Sequence, residues 1–221
     1  MFVGKYSMSM EQNIFFAKRN IVDYIWKSAN LEGIGVTYPD TQAIYNGMSV
    51  AGYTIDEINA VTGLKHAWNF LLDNITAETD LAFIKKVHLE LGKFTIINSG
   101  CLRRDDVHIG GTEWVPAMPD EKTVTAQIAD ILNRACRETD RALDMMLYLM
   151  RAQLFYDGNK RLAMLIGNKL MIQNGLGVIS VKQKDIQGFY SLLIPYYETN
   201  EPDKLKKFIY DNCIDGMNFS R

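Results

Sequence analysis

The residues whose types and spacing could do chemistry lie in Gln153-Leu154-Phe155-Tyr156-Asp157-Gly158-Asn159-Lys160-Arg161, a polar stretch between two strongly apolar helical runs. Gly158 and Asn159 let the backbone turn tightly. A helix beginning at about Lys160 would aim its free N–H groups and the positive end of its dipole at the loop, an arrangement that binds phosphate. Lys160 and Arg161 stand at the helix end where cations oppose the dipole, a placement that an anionic ligand explains. Asp157, a carboxylate beside a phosphate cradle, is placed as Mg²⁺ is usually held with nucleotides. A plain interhelical turn capped by Asp157, with two solvated bases, fits the same residue types.

The elements that must position this loop read as helices. Apolar residues recur at helical spacing from Ile14 to Trp26, Ile55 to Leu72, Leu81 to Phe94, Val124 to Leu132, Arg141 to Phe155, Lys160 to Gln173, Ile186 to Tyr197 and Leu205 to Asn212. Asn174-Gly175 predicts a C-cap, and Glu201-Pro202-Asp203-Lys204 the start of the last helix. Phe94 to Pro119, with Gly100, Gly110, Gly111, Pro116 and Pro119 around Val107-His108-Ile109 and Trp114-Val115, predicts a β-hairpin or extended flap. Within it, Arg103 to Asp106 reads as a solvated hairpin turn. Met145, Met146, Met150, Met164 and Met171 line the two helices around the loop and read as core. The chain is expected to be mainly α, with 1–50 as an N-terminal helical segment and 51–221 as the principal domain.

The loop resembles the Fic motif of the Fic/Doc (Fido) family, H-x-F-x-[DE]-G-N-[GK]-R, at Phe155, Asp157, Gly158, Asn159, Lys160 and Arg161. Upstream, Ser28-Ala29-Asn30-Leu31-Glu32-Gly33 is similar to the inhibitory motif [ST]-x-x-x-E-[GN] that some Fic proteins carry. The resemblance runs from about Ile21 to Asn212. It implies the helical Fic fold and transfer of AMP from ATP to a protein hydroxyl. By position, Asp157 would hold Mg²⁺, and Gly158, Asn159 and Lys160 would cradle the phosphates. Arg161 would contact the outer phosphates, while Gly111 and Thr112 in the flap would align a target segment. Ser28, Glu32 and Gly33 would form the inhibitory element.

Two positions depart from that pattern. Gln153 stands where the family has the histidine that takes the proton from the target hydroxyl, and an amide cannot accept a proton near neutral pH. Met164 stands where the long form of the motif has a second arginine, so Glu32 is expected to pair with Lys160 or Arg161 instead. Of the three histidines, His66, His88 and His108, none adjoins the loop in sequence, and His108 is carried by the flap. The departures leave two further readings: a nucleotide- or protein-binding pseudoenzyme, and a phosphotransferase of the Doc-like branch.

Composition excludes other classes. The 221 residues are 48% apolar and 23% charged with a net charge of −2, so no bulk attraction to nucleic acid or anionic lipid is implied. Tyr53 to Leu64 has the rhythm of a helix-turn-helix, yet only Lys65 and His66 follow as basic residues and no DNA reader is expected. No stretch has the length and apolarity of a signal peptide or membrane span. Cys101, Cys136 and Cys213 are far apart and fit reduced thiols in a cytoplasmic protein. The expected partners are ATP and a target protein, with room for a homo-oligomer.

Overall fold

A computed structural model describes residues 1–218 of the chain. Ten α-helices follow one another among these residues: α1 (Met10–Arg19), α2 (Ile21–Leu31), α3 (Tyr38–Tyr45), α4 (Ile55–Asp73), α5 (Leu81–Gly92), α6 (Glu121–Asn133), α7 (Glu138–Ala152), α8 (Asn159–Gln173), α9 (Ile186–Thr199) and α10 (Asp203–Asn212). Two short strands, β1 (Val178–Ile179) and β2 (Ile214–Asp215), pair antiparallel with Val178 opposite Asp215 and Ile179 opposite Ile214.

The fold is organised around α8, which is buried from Arg161 to Ile172 and packs against α7, α4, α5, α1 and β1. A helix buried on every side belongs at the centre of a bundle, and the polar side chains it carries there, Arg161, Asn168 and Lys169, are each hydrogen-bonded. Gly167 lets α7 lie close, since a Cβ there would stand 3.0 Å from the Cβ of Met146. Met145, Met146, Met150, Met164 and Met171 are all buried around this pair, as their spacing predicts. Met8, Tyr24, Ile25 and Ala29 from the N-terminal segment belong to the same buried cluster. Capping boxes start α1, with Ser9 and Gln12, and α4, with Thr54 and Glu57.

The expected first helix is two. Asn20 ends α1 and begins α2, its Nδ2 donating to the Phe16 carbonyl at 2.9 Å, a local side-chain bond that competes with the helix ladder. Helix α3 and the two-residue strands carried no readable period. The segment from Tyr53 to Leu64 is not a helix-turn-helix, because α4 runs unbroken through Gly63. That glycine admits the Leu91 carbonyl, which a Cβ would meet at 2.1 Å.

The flap is present without the hairpin. Residues 101–120 contain no strand and cross the molecule as extended chain and turns. The reason is Arg103, which is buried and not part of a solvated turn. Its guanidinium donates to the carbonyls of Asp105 at 2.8 Å, Pro116 at 2.9 Å and Ala117 at 2.6 Å, taking backbone acceptors that a hairpin would pair across strands. Among the described residues no helix is long and apolar enough to cross a membrane.

Candidate functional site

The α7–α8 connection is built by its own side chains. Gln153 closes α7 in the left-handed region at φ 46°, and Gly158 opens α8 at φ 75°. Its positive φ favours glycine, and a Cβ there would also stand 2.8 Å from Cδ1 of Ile96, which would have to shift. Asn159 reaches back across the loop. Its Oδ1 accepts from the Phe155 N–H at 3.0 Å, and its Nδ2 donates to the Phe155 carbonyl at 2.7 Å and to Gln153 Oε1 at 3.0 Å. The other end of the Gln153 amide donates to the Met150 carbonyl at 2.6 Å.

His88, remote in sequence, supports the loop from below. It is buried, stacked on Phe155 with ring centroids 3.8 Å apart. Its Nδ1 accepts from the Gly100 N–H at 2.8 Å, which fixes the proton on Nε2, and that nitrogen donates to the Asp157 carbonyl at 2.9 Å. Burial lowers its pKa to about 4, so the ring is neutral at pH 7. Sequence reasoning missed His88 because nothing in its neighbourhood marks it.

Above the loop opens a cleft of about 390 Å³, within the size range of small-ligand sites. Asp157, Gly158, Asn159 and Lys160 form its floor, Glu32 and Tyr190 one wall, and Val107 to Gly110 of the flap another; Gln153 also borders it. The residues that open α8, Asn159 and Lys160, line this space, and the first N–H groups of a helix have no intrahelical partner. Lys160 Nζ lies 3.5 Å from Glu32 Oε1 and donates to the Tyr190 hydroxyl, which in turn donates to the Leu31 carbonyl. Gly33, at φ 80°, ends α2 so that Glu32 sits at its C-cap, facing the cleft. Glu32 Oε1 is buried yet accepts no hydrogen bond from the described residues, among which the ion pair is its one polar tie.

Other expected site residues lie outside the cleft. Arg161 is buried, pairs with Asp157 at 2.9 Å and lines a small separate cavity of about 20 Å³ beside Ser28 and Met164. Its Nε there has no partner, and the space is large enough for a water molecule. Thr112 is held against α9: its hydroxyl bonds the Glu198 carboxylate, which also accepts from the Glu113 N–H at 2.8 Å. Gly111 turns the chain just before it at φ 82°. Among the described residues no group of three or more His, Cys, Asp or Glu side chains could hold a metal by itself. Asp157 is largely exposed and engages Arg161 through Oδ2 alone, which suits a Mg²⁺ that takes most of its ligands from phosphate and water.

No family model matches the chain. Protein adenylyltransferase Fic from Drosophila willistoni is 27% identical over 188 residues, which are 80% of this chain and 37% of that protein. The chain thus spans little more than a third of that relative's length. Among solved structures, Fic-1 from C. elegans superposes with a TM-score of 0.79 at 21% identity, over 89% of this chain and 62% of that one. BepC from Bartonella tribocorum, solved with bound AMPPNP, gives a TM-score of 0.52 at 18% identity, over 79% of this chain and 87% of that one.

Proposed function

We propose, from the premise that this chain belongs to the Fic/Fido family, that its cleft binds ATP with Mg²⁺ and transfers AMP to a hydroxyl group of a protein. The observation that carries the reading is the cleft floor, where the start of α8, the Lys160 ammonium and the Asp157 carboxylate converge on one space. Helix dipole, free N–H groups and lysine all favour phosphate there. The names of the curated relatives and the nucleotide analogue bound to BepC support the same reading.

In this mechanism α8 and Lys160 bind and orient the phosphates. Mg²⁺, held by Asp157, would supply charge neutralisation on the phosphate oxygens. Arg161 acts indirectly, holding Asp157 from below through its 2.9 Å contact. Asn159 contributes its backbone N–H, since its side chain is spent on the loop. Glu32 occupies the place of an anion beside Lys160 and must yield when phosphate enters. Ser28 and Gly33 belong to this restraint through the course of α2, and Thr112 fixes the flap along which a target segment would run. The identity of the target protein, a cytoplasmic setting and any self-association are further parts of the proposal.

A second reading is favoured by Gln153. Its amide is bonded at both ends within the loop, so a chain that binds ATP without transferring it would look the same at this residue.

Titration with ATP separates nucleotide site from bare scaffold. The chain is expected to bind ATP in a Mg²⁺-dependent manner, with Lys160→Ala and Asp157→Ala each weakening binding about tenfold or more. Equal, weak affinity in all three would contradict the site.

A further inference from the structure

We propose that His108, on the flap, takes the proton of the target hydroxyl, the role for which Gln153 is chemically unfit; this rests on the AMP-transfer reading of the cleft. Several ionisable side chains border the cleft. Glu32, 3.5 Å from Lys160, is the carboxylate that entering phosphate displaces, and Asp157 pairs with Arg161 at 2.9 Å and would hold Mg²⁺. The Tyr156 hydroxyl donates to Asp105 at 2.6 Å, and Tyr190 links Lys160 to Leu31. Tyr197 is buried against the cleft wall and burial holds its phenol protonated. His108 is exposed on the cleft rim and has no hydrogen-bond or ion-pair partner among the described residues. Imidazole is also the side chain best matched to proton abstraction near neutral pH.

The flap that carries His108 is fixed on both sides. Arg103 Nε donates to the Gln153 carbonyl at 2.7 Å while Nη1 and Nη2 hold Asp105, Pro116 and Ala117. The Arg103 N–H adds a bond to the Leu154 carbonyl at 3.0 Å. On the far side, Glu198 holds Thr112 and Glu113. The flap is thereby tied, five residues before His108, to the backbone of the very residue that replaces the family's histidine, and His108 and Gln153 border the same cleft. Proton acceptance has moved from the end of α7 to the loop stapled onto it.

The step balances without a further reactant. The hydroxyl oxygen bonds to Pα, the bond from Pα to the bridging oxygen of the β-phosphate breaks, and its electron pair leaves with pyrophosphate. The hydroxyl proton passes to the imidazole of His108 and from its exposed position to water.

The test measures initial rates of label transfer from α-labelled ATP, with ATP affinity measured alongside. His108→Ala is expected to lose about 10²- to 10⁴-fold in rate, keep its ATP affinity and recover part of the rate on addition of free imidazole. Gln153→His in the His108→Ala background is expected to restore transfer. A His108→Ala rate within about threefold of the unmodified chain overturns the proposal and leaves AMP transfer standing. Transfer by Gln153→His alone, with none by the unmodified chain, also overturns it while preserving the site. Silence in every variant, despite ATP binding, removes both the proposal and the reading beneath it.

Discussion

Glu32 and Lys160 meet in an ion pair at the cleft, and under the proposed function that pair is all that would restrain it. Their ion pair, 3.5 Å long and without a hydrogen bond, is a weak tie in a half-buried setting. Glu32→Gly is expected to tighten ATP binding by about 3- to 10-fold, measured by titration, because the phosphates no longer displace a carboxylate. Unchanged affinity would remove Glu32 from the inhibitory role. His88 carries a pH signature of its own. Its folded pKa of about 4 lies below the unfolded value near 6.5, so the unfolded chain takes up the proton first as pH falls. Stability is therefore expected to be full above pH 6.5 and to decline by up to roughly 3 kcal/mol toward pH 4, in denaturant melts without nucleotide or Mg²⁺. His88→Gln should flatten that decline. The α7–α8 loop that floors the cleft was legible in the sequence because a carboxylate, a glycine and two bases in close succession are chemically conspicuous. His88 was not legible: its role comes from stacking on Phe155 across 67 positions of chain, and a histidine amid apolar helix residues looks like any other.

At the level of elements, the helices were readable because each presents a periodic apolar face, while the flap was not. Its form is set by one buried arginine reaching carbonyls at both ends of the segment, and the sequence Arg103-Arg104-Asp105-Asp106 gives no sign that the first base turns inward. Arg103→Met is expected to cost roughly 3 kcal/mol, since it leaves several backbone carbonyls without their donor. Hydrogen exchange would show the loss concentrated in 105–117, and exchange confined to other segments would contradict the staple. Asn20 teaches the same lesson in miniature. Apolar spacing continues through it, yet its side chain bonds the Phe16 carbonyl and splits one expected helix into two.

Across the whole molecule, α8 unites core and site, because the helix whose start faces the cleft is buried along the rest of its length. Lys169 on that helix is fully buried, donating to the Ala77 carbonyl at 2.6 Å and Thr79 Oγ1 at 2.9 Å, and among the described residues it forms no ion pair. Burial lowers its pKa to about 8, below its unfolded value, so the unfolded chain binds the extra proton and stability is expected to rise from pH 8 to 9, above which the buried Cys213 thiol, pushed up to about 12, opposes the rise. Lys169→Met should abolish that rise in thermal melts, while a rise that persists would assign it elsewhere. Above pH 10 half-buried Tyr148 and buried Tyr196, both raised to about 12 by burial, reverse the trend. The mainly helical Fic architecture was legible from motif and periodicity together, whereas the packing of α1 on α8 and the strand pairing of Val178 with Asp215 depend on contacts far apart in the chain. The central claim is AMP transfer, and its most direct test offers cell proteins and the chain ATP labelled at the α- or the γ-phosphate in parallel reactions. The account predicts protein-bound label from the α position only, with the γ label released in pyrophosphate. Label from the γ position on protein, or none from either while ATP binds, would contradict it.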